Sequence, residues 1–266
     1  MKITIIGAGN IGGAIACGLA KGNIFKPTDI TCTALTQRTL DKMHALNPEF
    51  NVTLDNITAV KEADIIVIAV KPWRVESVID QIRDSLDYDR QIIVSVAAGV
   101  TFDLLSTLLT KTDAKGEKQP VLFRIMPNTA IAVMSSMTFV SARNAKKDQI
   151  DLVLSIFNEL GTALLIEERL MAAGTALASS GIAYALRYIR AAIEGGVELG
   201  FYPKEAQEIV VKTVKGAVDL LIENQSNPEY EIDKVTTPGG ITIRGLNEME
   251  VSGFTSSVIR GLKAGK

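Results

Sequence analysis

The chain is poor in the residues on which much catalysis relies. Its 266 residues include one histidine, His44, and two cysteines, Cys17 and Cys32. His44 falls in the predicted second helix, far from the strand ends where an α/β protein holds its ligand. The cysteines fall in the first helix and second strand, with neither metal-ligand nor Cys-x-x-Cys spacing. They read as reduced core residues, and no metal is expected. No lysine occurs between Lys147 and Lys204. Charge of one sign is lacking too, since 28 basic and 30 acidic side chains leave a net charge of -2. Nothing in that balance points to nucleic acid. One uncharged stretch, Leu170 to Leu186, is short for a membrane span and broken by glycine and serine. A helix buried between protein surfaces, with no membrane contact, is the better reading. Strand one begins directly after the first residues, which leaves no room for a signal peptide, so a cytoplasmic location is expected.

Apolar residues are plentiful, at 47% of the chain. That is ample for one large domain or two ordinary ones. Ile3 to Ile6 run into Gly7, Gly9 and Gly12, and an alanine-rich helical pattern follows. This is Gly-x-Gly-x-x-Gly between a strand and a helix, the setting that marks a dinucleotide site. Gly7 allows the turn, Gly9 lets a pyrophosphate approach the backbone, and Gly12 lets helix and strand pack closely. Asn10 and Ile11 complete that loop, and the helix amides face the anion. The next strand, Ile30 to Leu35, should end beside the adenosine ribose. An NAD site would place Asp or Glu there, but the residues are Thr36, Gln37, Arg38 and Thr39. A cation among hydroxyls favours NADP, with NADPH preferred over NADH. The competing reading makes Arg38 a solvated residue opening a helix.

Strands and helices then alternate. Strands are predicted at Asn51–Leu54, with Asn56 opening the turn to a helix, and at Ala63–Val70, which Lys71-Pro72 follows. Gln91–Val96 is a further strand, ending in Ala97-Ala98-Gly99, residues small enough to admit a flat ring. A helix at Phe102–Leu109 leads to a charged loop, Lys111 to Lys118. Strands at Val121–Ile125 and Met137–Val140, a helix at Lys147–Leu160 and a strand near Thr162–Ile166 complete the pattern. Residues 1–166 are therefore predicted to form a Rossmann-type doubly wound sheet of an α/β protein. Residues 167–266 show only helical stretches: Arg169–Leu199, Lys204–Asn224 and two shorter ones after Pro238. So apolar a bundle is expected to bury its outer face in a homodimer or higher homo-oligomer, although it could instead pack only on the sheet domain.

Asp233-Lys-Val-Thr-Thr-Pro-Gly-Gly-Ile-Thr242 carries a second signal. Thr237 is predicted as N-cap and Pro238 as first helical residue. Two glycines in an opening turn are costly unless a backbone or ligand approaches them. Free amides at Gly239, Gly240, Ile241 and Thr242 would hold a carboxylate-sized anion, with the Thr242 hydroxyl on a second polar atom. A glycine-softened bend between surface helices is the structural alternative.

Together with Ile6–Asn10, Ala69–Pro72, Val96–Val100, Met126–Thr129, Ser180-Gly181 and Ala183-Tyr184, this segment resembles the Δ1-pyrroline-5-carboxylate reductase family over essentially the whole chain. The resemblance implies reduction of a cyclic imino acid to proline by hydride from NAD(P)H. It implies an all-α C-terminal dimerisation domain. It assigns the substrate carboxylate to Gly240, Ile241 and Thr242 and the ring nitrogen to the Thr242 hydroxyl. Gln37, Arg38 and Asn56 would meet the adenosine half of the cofactor. Ala69, Val70, Lys71 and Pro72, with Val96, Ala97 and Ala98, would line the nicotinamide ribose and ring. Glu168 matches a position near the substrate, and Lys234 one near both ligands. Glu168 is also simply an acid favourable at a helix start.

There are departures from the family pattern. Ala178-Ser-Ser-Gly-Ile-Ala-Tyr184 stands where Ser-Gly-Ser-Gly-Pro-Ala-Tyr is usual, and Ile241 where a smaller residue is common. Ile182 and Ile241 would narrow the pocket. An imine fits the scarcity of acid-base groups: it brings its own proton on nitrogen, so the protein mainly orients it. Oxidising a hydroxy acid would require a histidine or lysine base. Lys71 is the one nearby cation, and cofactor positioning or a solvated loop charge explains it better than catalysis does. Two rivals remain: reduction of another cyclic imine or keto acid, and a non-catalytic NADP-binding sensor. Arg190 and Glu194, at i, i+4, read as an ordinary surface pair.

Overall fold

The computed structural model describes residues 1–114 and 116–265 and divides into two compact units, Met1–Ser179 and Ser180–Lys266. The first holds an eight-stranded sheet built from β1 (Ile3–Ile6), β2 (Ile30–Thr33), β3 (Asn51–Thr53), β4 (Ile65–Ile68), β5 (Ile92–Ser95), β8 (Val121–Met126), β9 (Ser136–Arg143) and β10 (Gly161–Leu165). Between β5 and β8 lies a small hairpin of β6 (Lys111–Asp113) and β7 (Gly116–Lys118). The sheet order is β10-β9-β8-β5-β4-β1-β2-β3, and every neighbouring pair is parallel except β8 with β9. Strand order therefore reverses at β1 and β4, the place where doubly wound sheets leave a crevice for a ligand.

Side chains alternate across this sheet, as the two-residue period of a strand requires. Ile3, Ile5, Ile65, Val67, Ile92 and Val94 pack on one face with α1 (Asn10–Leu19) and α6 (Lys147–Asn158). Ile6, Ile66, Ile68 and Ile93 pack on the other with α4 (Val75–Ile82) and α5 (Phe102–Leu109). Both faces are covered, so the central strands read as continuous apolar runs. The two remaining helices of this sandwich, α2 (Gln37–Leu46) and α3 (Asn56–Lys61), follow β2 and β3.

Three local expectations change. The second strand stops at Thr33, and Leu35, 70% exposed, lies beyond it. The expected charged loop contains the β6–β7 hairpin, whose polar residues carry no apolar alternation to read; Lys115 lies outside the described residues. Asn56 does open a helix, α3, which the Asp55 carboxylate caps by accepting from the amides of Ile57 and Thr58. The single long helix expected over Arg169–Leu199 is α7 (Met171–Gly174), a π-helical turn at Thr175–Ser179 and α8 (Ser180–Glu198). Gly174 packs so tightly on β9 that a Cβ there would lie 2.7 Å from the Phe139 ring.

Among the described residues the second unit contains helices and no strand: α8, α9 (Pro203–Asn224), α10 (Pro228–Lys234), α11 (Ile241–Val251) and α12 (Phe254–Ala264). The α10 helix was not expected, although Asn227 caps it and Pro228 opens it. Its neighbours touch through small or aromatic residues. Gly196 faces Ala206, and the Tyr188 and Phe254 rings meet edge to face at 6.4 Å. Among the described residues, Ala206 is the only buried hydrophobic one in this unit, while Leu186, Val197, Val211, Leu220 and Ile222 are exposed. None of the described helices is long and apolar enough to cross a membrane.

Candidate active site

The first loop has little freedom. Gly7 adopts φ +93°, a region that costs a residue with a side chain, and a Cβ there would lie 2.7 Å from Val70 Cγ1. The amides of Gly7 and Ala8 donate to the Thr33 carbonyl at 3.0 and 2.8 Å, tying the loop to β2. A Cβ on Gly12 would sit 2.3 Å from the Gly7 carbonyl oxygen and 3.0 Å from Ala69 Cβ. Gly9, by contrast, has nothing within 4 Å and is exposed. It is the N-cap of α1 and offers no side-chain acceptor, which leaves the opening amides at Asn10, Ile11 and Gly12 for an outside anion. The cradle fits a dinucleotide diphosphate: closed where helix meets strand, open where an anion would lie.

Neighbouring strand ends bring the other expected cofactor residues to the same edge. Thr36 caps α2 by accepting from the Thr39 amide. Gln37 turns back on its own helix, donating to Asp41 at 2.9 Å. Arg38 is exposed and has no ion-pair partner among the described residues. Asn56 Oδ1 accepts from the Thr33 hydroxyl at 2.6 Å, and its amide donates to Gln81 at 3.1 Å. After β4, the Ala69 amide donates to Ile6 at 2.8 Å, Lys71 is exposed and Pro72 opens a 3-10 turn. After β5, Ala97 to Val100 form a turn closed by the Val100 amide on the Ala97 carbonyl, with Gly99 at φ +77°. Ala97 is buried; Ala98 is exposed on that turn.

Glu168 is already engaged. Its Oε1 accepts from the Phe102 amide at 2.7 Å and from Arg124 Nη1 at 2.5 Å, and Arg143 Nη2 lies 3.6 Å from Oε2. A substrate contact here would compete with these three donors. Arg143 also pairs with Asp103 at 2.7 Å, and both guanidinium groups lie over the Phe102 ring. Sequence reasoning missed Arg124 and Arg143. Arg124 did leave a signal, because a charge within the apolar strand Val121–Met126 must be paired when buried.

In the second unit the Thr237–Gly240 segment departs from expectation. Thr237 and Pro238 do not start a helix. They begin a type II turn, with Pro238 in the second position and Gly239, at φ +71°, in the third. The Gly240 amide closes that turn on the Thr237 carbonyl at 2.9 Å, so it is not free. Gly240 is instead the N-cap of α11, and a Cβ there would lie 2.5 Å from Thr237 Oγ1. The amides opening α11 are those of Ile241, Thr242 and Ile243. Thr242 is half-buried, while Ile241 is 80% exposed. Lys234 Nζ is held by both Glu231 oxygens at 3.0 Å and lies over the Tyr230 ring. Tyr184 donates to the Gly261 carbonyl at 3.4 Å, and Arg190 pairs with Glu194 at 2.7 Å as expected. No group of three or more potential metal ligands occurs among the described residues.

Residues 168–266 match the family model described as pyrroline-5-carboxylate reductase dimerisation, and residues 2–99 match one described as NADP oxidoreductase, coenzyme F420-dependent. The chain is 39% identical over 273 residues to pyrroline-5-carboxylate reductase 1 of Dictyostelium discoideum, covering 98% of this chain and 48% of that one, about half its length. It is 33% identical to the pyrroline-5-carboxylate reductase of Methanosarcina acetivorans, over 100% of this chain and 97% of that one. A crystal structure of Plasmodium falciparum pyrroline carboxylate reductase with NADP bound superposes with a TM-score of 0.85 at 26% identity, over 100% of this chain and 95% of that one. Full-length similarity of sequence and fold, joined to this glycine cradle and this turn into α11, means that the chain belongs to the pyrroline-5-carboxylate reductase family.

Proposed function

We infer that the protein is an oxidoreductase that reduces Δ1-pyrroline-5-carboxylate to L-proline with NADPH, as a cytoplasmic homodimer or higher homo-oligomer. The family match over the whole chain is the observation that carries this reading. We assign cofactor binding to residues 1–166 and substrate binding and self-association to residues 167–266. NADPH, when bound, supplies the hydride from nicotinamide C4. Gly7, Gly9 and Gly12 clear a path for its diphosphate, and the Asn10, Ile11 and Gly12 amides hold that anion. Arg38, with Thr36, faces the 2′-phosphate and gives NADPH its advantage over NADH. The small residues Val96, Ala97 and Ala98 leave room beside the nicotinamide, and Ala69 to Pro72 carry the ribose.

The Ile241 and Thr242 amides hold the substrate carboxylate, and the Thr242 hydroxyl supports the ring N–H. Gly240 serves by its path instead of its amide, letting the chain turn into α11 without striking Thr237. An iminium carries its own proton, so these contacts orient and stabilise but need no strong base. Thr242→Ala is expected to lower kcat for the imine while leaving the Kd for NADPH intact. NADPH oxidation with and without the imine measures the first, and fluorescence titration the second. Unchanged turnover would remove Thr242 from the mechanism, and activity on keto acids alone would shift the reading to another substrate.

A further inference from the structure

The Ala97–Val100 turn has no packing at its crest among the described residues: a Cβ on Gly99 would meet nothing within 4 Å, and Ala98 and Gly99 are exposed. Ala97 and Val100, its first and last residues, are buried among α4 and α5, so its position is set at its two ends. At the near end, Ser95 sits in the ladder between Ile68 of β4 and Arg124 of β8. At the far end, the amide of Phe102, first residue of α5, is held by Glu168 Oε1 at 2.7 Å. Arg124 belongs to both ends. Its backbone pairs with β5, and its guanidinium, on a side chain 9% exposed, reaches the same Glu168 oxygen at 2.5 Å.

We propose that Glu168, clamped by Arg124 and Arg143, is a positioning residue that holds the Val96–Val100 turn against the nicotinamide end of the bound cofactor. The proposal rests on the reading above that this turn borders the nicotinamide. Helix capping alone does not explain the arrangement. Thr101 already caps α5 by accepting from the Leu104 amide, and an exposed acid would satisfy the helix end without a buried arginine. The cluster also locks the ring that follows the turn, because the Arg143 and Arg124 guanidinium carbons lie 4.9 and 5.9 Å from the Phe102 centroid. A turn fixed at both ends presents one surface to a flat ring, and small errors in that placement are costly for hydride transfer.

The test is Glu168→Gln in the full chain. The amide oxygen still accepts from Phe102, but the charge that gathers both arginines is lost. The Kd for NADPH, set mainly at the glycine loop, is expected to stay near the wild-type value. The emission spectrum of bound NADPH, which reports on the nicotinamide without any substrate, is expected to shift. With the imine, kcat is expected to fall about tenfold or more while KM changes little. The primary isotope effect from C4-deuterated NADPH should rise. Unaltered emission, kcat and isotope effect in a variant with a lowered melting point would overturn the proposal and leave Glu168 a brace for stability alone. If Glu168→Gln does not fold, Arg143→Lys, which keeps the charge but loses the planar fork, is judged on the same readouts. Wild-type protein that binds NADPH yet leaves the imine untouched would refute the reaction, and the emission readout would still decide the role of Glu168.

Discussion

At the scale of single residues, Arg38 and Glu168 are opposites. Arg38 is exposed and has no ion-pair partner among the described residues, whereas Glu168 is surrounded by donors. A charge-assisted contact to a phosphate contributes roughly 1.5–3 kcal/mol. Arg38→Ala should therefore weaken NADPH by about tenfold or more, since about 1.4 kcal/mol corresponds to tenfold, and leave NADH almost unaffected. Parallel fluorescence titrations with both cofactors check this, and an equal loss for both would assign Arg38 to α2 alone. The opportunity for Arg38 was legible in the chain because the acidic residue of an NAD site is missing there. The arrangement around Glu168 was not. Arg124 in an apolar strand announces that some carboxylate must pair with it, but the partner lies 44 residues away, and no local rule names it.

Among elements, the close approaches decide most. Gly12→Ala would drive a Cβ to within 2.3 Å of the Gly7 carbonyl, a backbone atom that cannot swing aside. Overpacking of this kind costs about 1–3 kcal/mol. Urea denaturation should show that loss, and NADPH titration should show binding abolished or nearly so. The β1–α1 unit was legible because one motif dictates turn, approach and packing together. The Thr237–Gly240 segment was misread because Pro favours both the first residue of a helix and the second position of a turn. Gly239 settles the choice, since its positive φ suits a type II turn and not a helix. Here the turn and the Ala97–Val100 turn prove alike: each has glycine in its third position and a helix start soon after. The β6–β7 hairpin stayed hidden because Lys111-Thr112 and Glu117-Lys118 offer no apolar face, and strand prediction reads little else.

For the whole molecule, the alternation of strand and helix announced the doubly wound sheet, but not the reversal of β9, since nothing in an apolar strand encodes its direction. The expected division at Ile166 sits close to the start of the dimerisation match at residue 168, while the compact units part after Ser179, because the α7 stretch packs with the sheet unit. The dimerisation match supports self-association, and the bare helices of the second unit leave apolar side chains for it to cover. Association coupled to folding makes the melting temperature depend on protein concentration. A dilution series should therefore lower the midpoint steadily, and sedimentation should give a whole multiple of the chain mass. A midpoint independent of concentration, with a monomer in the cell, would contradict both.

That one small alanine is the only buried hydrophobic residue of the helical unit among those described has a consequence for how the protein is made. As synthesis runs from the N-terminus, the sheet can close its interior while the last third is still emerging. The later helices then have oily sides on show until a sister chain arrives. Apolar helix sides left without such a partner would be prone to clumping.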